Sequence, residues 1–399
     1  MAEITEEIID SADGLARCCA YLSTQPTIGM DTEFVGEETY HPKLCLVQVS
    51  TPDRLYLLDP FATGPLDAFW NLMLDPARVV VVHAGREEVR LCRQGIGQVP
   101  ANLFDLQLAA GLVGMTYPLG HGPLVNQLLG VRLSKAETLT EWRRRPLTEE
   151  QIRYAYDDVR YLLRCHGKIA DRLDRLGRSD WAREEFARLS NAASPEDPAL
   201  EERWRKLKGI SSFDRRRLAV VRALHQWRED RAAEVNRPAR TVIRDDLLVE
   251  IVRRNPSKPS DLQVVRGLPS RDLDAIVAAV AKAKVLPPDQ HPAAFDREQD
   301  PPQLATIAGV VIAVFTDLCT RQQLASNLVA SNNDLRILVR ARLAGDPLPD
   351  DIPLTRGWRA AHILPEVQAV LEGRRTVRIA DLRSETPLAT FEVPGSELS

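Results

Sequence analysis

Asp31 and Glu33 are one residue apart in the run Ile28-Gly-Met-Asp31-Thr-Glu33-Phe34. In an extended chain alternate side chains share a face, so both carboxylates project from the same side of one strand. Neighbouring acids repel, and a hard oxygen-seeking ion such as Mg2+ or Mn2+ relieves that repulsion. The pair alone also fits an ordinary solvated strand end. Further acids decide between the two readings. Glu87 and Glu88 in His83-Ala-Gly-Arg-Glu87-Glu88-Val89 lie on the first turn of a helix leaving a strand end. Either can be a ligand, or both can be solvated acids favoured by the helix dipole. Tyr154 and Asp158 are four residues apart, so a phenol and a carboxylate share one helix face a turn apart, while Asp157 points away from it.

The elements that must carry these groups follow from periodicity. A helix is expected over Ser11 to Ser23, and strands over Thr27–Phe34, Lys43–Ser50, Arg54–Leu58 and Arg78–Val82. Gly85 opens a helix over Arg86 to Arg93, and Asp105 is an N-cap for one reaching Leu112. Thr148-Glu-Glu-Gln151 is a capping box opening a long helix whose apolar stripe is Ile152, Ala155, Val159, Leu162 and Leu163. Strands first and helices interleaved later predict an α/β domain with a mixed sheet over residues 1–191. Ala192 to Pro198 reads as a linker. Helices are then expected over Glu201–Lys208, Asp214–Ala233, Asp245–Arg254, Ser260–Val265 and Ser270–Ala283, a second domain over 199–288. After a proline-rich stretch, residues 303–399 form a third, mostly helical domain, with strand-like runs at Arg375–Ala380 and Ala389–Val393.

The 399 residues, 44% hydrophobic and 27% charged, describe a globular chain with room for two or three cores. The acidic N-terminus lacks the basic and apolar pattern of a secretory signal. The apolar run Leu304 to Phe315 is too short to span a membrane. Six scattered cysteines without a Cys-x-x-Cys pair argue against zinc and disulfides and fit a reducing cytoplasm. The net charge of −4 hides an asymmetry. Residues 201–290 carry 20 Lys and Arg against 13 Asp and Glu, and residues 1–200 carry 21 against 29. A basic middle fits a polyanionic partner, although a solvated arginine-rich helix face has the same composition.

Four further runs join the acids: Thr39-Tyr-His-Pro-Lys-Leu-Cys-Leu-Val-Gln48, His83-Ala-Gly-Arg-Glu-Glu88, Phe104-Asp-Leu-Gln-Leu-Ala-Ala110, and Trp142-Arg-Arg-Arg-Pro-Leu-Thr-Glu-Glu-Gln-Ile-Arg-Tyr154-Ala-Tyr-Asp-Asp158. With Asp31-Thr-Glu33-Phe34 they resemble the ribonuclease D family, 3′-to-5′ exonucleases of the DEDD superfamily in its tyrosine variant. The resemblance implies a ribonuclease H-like exonuclease fold. It extends to Trp204-Arg-Lys-Leu-Lys-Gly-Ile, Leu218-Ala-Val-Val-Arg and Trp227-Arg-Glu, which are similar to an HRDC domain, an all-α nucleic-acid-binding module. Residues 303–399 are a candidate second module of that kind. By residue, the resemblance implies that Asp31, Glu33 and Asp158 bind metal and that Tyr154 orients the attacking water. Glu88 stands where the family has Asp, one methylene longer.

The implied chemistry uses two divalent ions, Mg2+ or Mn2+, one activating water and one stabilising the leaving 3′ oxygen. Such a site needs no imidazole, so His83 reads as packing, and core packing accounts for Gln48 and Trp142. The expected activity is exoribonucleolytic trimming of structured RNA, such as tRNA precursors, to nucleoside 5′-monophosphates, without direct base readout. A DNA 3′-to-5′ exonuclease and a catalytically weak RNA-binding scaffold are the competing expectations.

Overall fold

The computed structural model describes residues 4–133, 141–192, 202–295 and 300–393. The linker expected over 192–198 lies, from residue 193 onward, outside the described residues. The first domain is built on a six-stranded mixed sheet of β1 (Thr5–Ile9), β2 (Thr27–Val35), β3 (Lys43–Ser50), β4 (Arg54–Leu58), β5 (Val79–Val82) and β6 (Leu103–Asp105), in the order β1-β4-β3-β2-β5-β6. β2 pairs antiparallel with β3 and parallel with β5, so the acidic strand is central. β1 and β6 escaped the sequence reading. β1 is an acidic, mostly exposed strand paired parallel with β4, and β6 has three residues, too few to show an alternation.

The helices of this domain are α1 (Ala12–Leu22), α2 (Pro60–Thr63), α3 (Asp67–Leu72), α4 (Arg86–Ile96), α5 (Leu106–Leu112), α6 (His121–Leu129), α7 (Glu149–Arg160), α8 (Leu162–Arg175) and α9 (Ser179–Ala192). Strand alternation sorts the core into two layers. Ile28, Met30, Val47, Val49, Val80 and Val82 face one layer with Leu22, Phe69, Val89 and Cys92. Leu46, Leu57 and Val81 face the other with Leu106, Ala155, Val159 and Leu162. Because Ile28 and Met30 belong to the first layer, Gly29, Asp31 and Glu33 point toward the second, where α7 and α8 lie.

The long helix expected from Thr148 is two helices, α7 and α8, broken at Tyr161 (φ −107°, ψ −6°). Packing accounts for the break. A Cβ on Gly29 would lie 2.3 Å from Ser50 Oγ and 3.1 Å from Leu162 Cβ, so glycine here lets the start of α8 settle closely on β2. That contact brings Asp158, one turn earlier, down onto the acidic strand. The capping box is present: Gln151 N–H donates to Thr148 Oγ1 (3.2 Å), and Thr148 N–H donates to Gln151 Oε1 (2.9 Å).

The second domain packs helices Arg215–Glu234, Ala239–Val242, Asp245–Arg254 and Leu273–Lys284 around Trp204, Leu218, Val221, Leu248, Ile251 and Ile276. The helices expected at 201–208 and 260–265 are short 3₁₀ turns, Arg203–Lys206 and Pro259–Leu262. The third region holds five helices among the described residues, from Leu304–Arg321 to Leu364–Leu371, and a hairpin of β7 (Arg375–Ile379) and β8 (Leu388–Glu392). The helix Leu304–Arg321 is longer than the apolar run read from sequence, and at 18 residues with a mean hydropathy of 1.6 it is long and apolar enough to cross a membrane. Here its Leu304, Ala308, Val311, Phe315 and Cys319 are buried in one core with Ala109, Leu112 and Phe186 of the exonuclease domain. Trp181 stacks on Trp358 at 4.6 Å and 9°, and the buried Arg359 and Glu185 form an ion pair joined by the Trp358 indole N–H (2.9 Å).

Candidate metal centre

β2 presents Asp31 and Glu33, α7 presents Tyr154 and Asp158, and α4 presents Glu88. Their mutual influence shows that the structure brings all five together. Burial pushes the Asp31 carboxyl well above the usual carboxylate range, and Glu88, Asp158 and Glu33 push it further. Glu33 is raised to about 8 by burial and then by Asp158 and Glu88. Burial lifts Glu88 to about 7 against the opposing Thr32 hydroxyl, and Asp158 to about 7 against the opposing Tyr154 hydroxyl. The Tyr154 phenol is pushed up by burial and then by Asp158, Glu33 and Asp31, so it stays protonated throughout the physiological range.

The structure separates the two adjacent glutamates. Glu88 is 5% exposed and belongs to the cluster, whereas Glu87 pairs with Arg90 (3.2 Å) on the outer helix surface. Thr32, between the two acids but on the opposite face of β2, donates its hydroxyl to Glu88 Oε1 at 2.7 Å in a buried hydrogen bond. One carboxylate oxygen of Glu88 is thus tied to the strand. The longer side chain of Glu is held by a partner that the sequence reading missed; the only local signal was a threonine flanked by two acids.

Asp105 also does more than cap. Its Oδ1 accepts from the N–H groups of Gln107 and Leu108 (2.8 and 3.0 Å), as expected of an N-cap, and its Oδ2 accepts from Gly85 N–H at 2.7 Å. One carboxylate therefore joins the start of α5 to the start of α4 and fixes the turn that aims Glu88. A Cβ on Gly85 would lie 2.2 Å from Val82 Cγ2, so this turn requires glycine. His83 is partly buried against His121, with ring centroids 5.5 Å apart, and His121 Nδ1 stands 3.9 Å from Asp158 Oδ1. Burial pushes His121 down to about 3, so it is neutral and brings Asp158 no positive charge. Gln48 is fully buried directly across from Asp31 on β3, and Trp142 lies 6.1 Å from the Tyr154 ring.

Among the described residues, none of the four carboxylates makes an ion pair with Lys or Arg, and Asp158 Oδ2 is buried without a hydrogen-bond partner. Buried charges without a countercharge are costly, so this donor set fits hard divalent cations. Among the described residues the acids do not close into a cage of three or more around one point. At Glu33 the set borders a cleft of about 730 Å3 lined also by Glu87, Arg90, Trp142 and Arg143.

Thr32→Val is expected to raise the metal concentration needed for half-maximal activity by about tenfold, because partners of metal-binding groups typically contribute 10- to 100-fold in affinity. Glu88→Asp is expected to change the Mn2+/Mg2+ preference, since the shorter acid cannot keep the same contact to Thr32 while reaching the same cation. Calorimetric Mn2+ and Mg2+ titrations check both; titrations like the unsubstituted chain's would show that Thr32 and the extra methylene do not matter.

Comparison with known proteins places these features. Residues 6–174 match the 3′-5′ exonuclease family, and residues 217–283 match the HRDC domain. The chain is 34% identical to the ribonuclease D of Gluconacetobacter diazotrophicus over 382 residues, covering 94% of this chain and 95% of that protein. It is 36% identical to the ribonuclease D of Jannaschia sp., covering 82% and 87%. Among solved structures, Escherichia coli RNase D superposes with a TM-score of 0.79 at 27% identity, covering 93% of this chain and 99% of that one.

Proposed function

The chain belongs to the ribonuclease D family and is a 3′-to-5′ exoribonuclease, and from that premise we propose that it trims structured RNA, tRNA precursors among them, with two divalent ions held by Asp31, Glu33, Glu88 and Asp158. The observation that carries the site assignment is the cluster of four carboxylates around Tyr154, Glu88 buried and the other three partly buried, with no Lys or Arg paired to them among the described residues. The family is divalent-metal dependent; bound ions would activate water and stabilise the leaving 3′ oxygen.

The chain's own groups set the rest of the reaction. Burial, and after it Asp158 and Glu33, hold the Tyr154 hydroxyl in its phenol form, so it orients water by hydrogen bonding and does not act as a base. Water oxygen adds to the terminal phosphorus, the bond to the penultimate 3′ oxygen breaks, and that oxygen takes a proton. The products are a nucleoside 5′-monophosphate and an RNA shorter by one nucleotide. Trp142 packs near Tyr154 and steadies that ring. The basic HRDC domain would hold the RNA body while a single-stranded 3′ end enters the cleft. The E. coli relative, described as an exoribonuclease involved in structured RNA processing, supports that substrate class. Six unpaired, buried cysteines support a cytoplasmic setting.

The test is digestion of 5′- and 3′-labelled RNA, with a matched DNA, in Mg2+, Mn2+ or EDTA. The expected result is a ladder shrinking from the 3′ end, mononucleotide release, RNA preference and no turnover in EDTA. Metal-independent or endonucleolytic cleavage would refute the reading, and equal cleavage of DNA would widen the substrate class.

A further inference from the structure

The strand that carries Asp31 and Glu33 leads straight into a segment held by another domain. Between Glu33 and Phe34 the pairing of β2 with β3 shifts register, and residues 36–42 then run along the cleft before the chain returns as β3. Tyr40, on this segment, packs against the core of the HRDC domain, and its hydroxyl faces Glu229 of that domain. The next residue, His41, donates its backbone N–H to Asn236 Oδ1 at 3.0 Å. Asn236 has φ 46°, the left-handed conformation that turns the chain out of the helix Arg215–Glu234 and presents its amide to the exonuclease domain. Arg143, which also lines the cleft, donates to Glu38 Oε2 at 3.1 Å.

We propose that the HRDC domain fixes one wall of the substrate cleft: by gripping Tyr40 and His41 it holds residues 36–42 in place, and thereby determines how RNA with a single-stranded 3′ tail reaches the acids. This rests on the exoribonuclease reading and extends it, giving the HRDC domain a task inside the catalytic domain in addition to holding RNA. The physical basis is preorganisation. A surface connection that is free in solution must be ordered each time substrate fills the cleft, and that lost freedom is subtracted from binding. Here the anchors order it beforehand. Asn236 acts through residues 36–42 and is a positioning residue. A substrate long enough to occupy the cleft depends on the anchor, whereas a diribonucleotide, which reaches only the acids, does not.

The experiment compares the full chain with its Asn236→Gly and Tyr40→Phe variants. Glycine keeps the positive φ and removes only the amide, and phenylalanine removes only the hydroxyl. Each is assayed on a hairpin RNA with a single-stranded 3′ tail and on a diribonucleotide, with binding of the tailed RNA measured by fluorescence anisotropy in an Asp31→Asn background. Losing one anchoring contact is expected to raise KM for the tailed RNA about three- to tenfold, with kcat unchanged. For Asn236→Gly, the diribonucleotide constants are expected to stay as they were. An unchanged KM for the tailed RNA, or an equal loss on both substrates, overturns the proposal. If the unsubstituted chain cleaved neither substrate, the exoribonuclease reading would fail instead. The anisotropy series needs no turnover and would still decide on the anchor, with equal affinities overturning it.

Discussion

Asp31→Asn is expected to lower kcat/KM by about a thousandfold or more and, in EDTA, to raise the melting temperature of the protein. Both effects have one cause. Burial raises the Asp31 carboxyl well above the usual range, and Glu88, Asp158 and Glu33 all push it further. Removing its charge takes away a ligand that the reaction needs, and losing one such electrostatic contribution typically costs 10²- to 10³-fold, with the lost ion adding to that. It also removes repulsion that the metal-free fold must bear. Asn has nearly the same shape, so the packing of β2 against α8 is kept. The stabilisation should be about 1 kcal/mol, or roughly 2–4 °C for a domain of this size. Saturating Mg2+ should reverse the order, because the unsubstituted chain gains stability from a ligand that the variant binds poorly. Thermal scans in EDTA and in Mg2+, alongside the digestion assay, check all three. A variant that melts lower in EDTA would mean that Asp31 is structural, and one that keeps full activity would mean that Asp31 is not a ligand the reaction needs.

The acids themselves were legible because the spacings that place them are short. Asp31 and Glu33 are related by the two-residue period of a strand, and Tyr154 and Asp158 by one helical turn, and both relations hold whatever the rest of the chain does. Strands β2 to β5, together with the capping box of α7, were readable for the same reason. What could not be read depends on partners distant in the chain. Thr32 meets Glu88 across 56 residues, and Glu87 and Glu88 are indistinguishable until the first layer of the core settles which of them is buried. The break at Tyr161 follows from Gly29 admitting Leu162, a contact no helical periodicity contains. What the third, mostly helical region packs against was not readable, because its amphipathic helices do not announce what they cover. Arg178, Glu185 and Trp181 of the exonuclease domain provide that cover through Gln323, Arg359 and Trp358.

The same uncompensated charge makes the metal-free protein sensitive to pH in a direction opposite to that of most salt-bridged proteins. Glu33 at about 8, and Glu88 and Asp158 at about 7, lie far above the carboxyls of an unfolded chain, near 4. Between these limits the folded state binds more protons than the unfolded state. The slope of unfolding free energy with pH is therefore negative. Stability from these groups is fully present below about pH 4 and is lost as pH rises through 7 to 8. Thermal scans in EDTA should show a melting temperature that falls from pH 6 to pH 8.5. A divalent ion competes with those protons, so its affinity should rise over the same window and its binding should release protons. Calorimetric titrations with Mg2+ in two buffers of different ionisation enthalpy should find more protons released at pH 6.5 than at pH 8.5, and the Mg2+ concentration for half-maximal activity should fall as pH increases. Proton release that is absent, or equal at both pH values, would mean that the acids are already ionised without metal. The cluster would then have to be neutralised by some group other than the ions assigned to it.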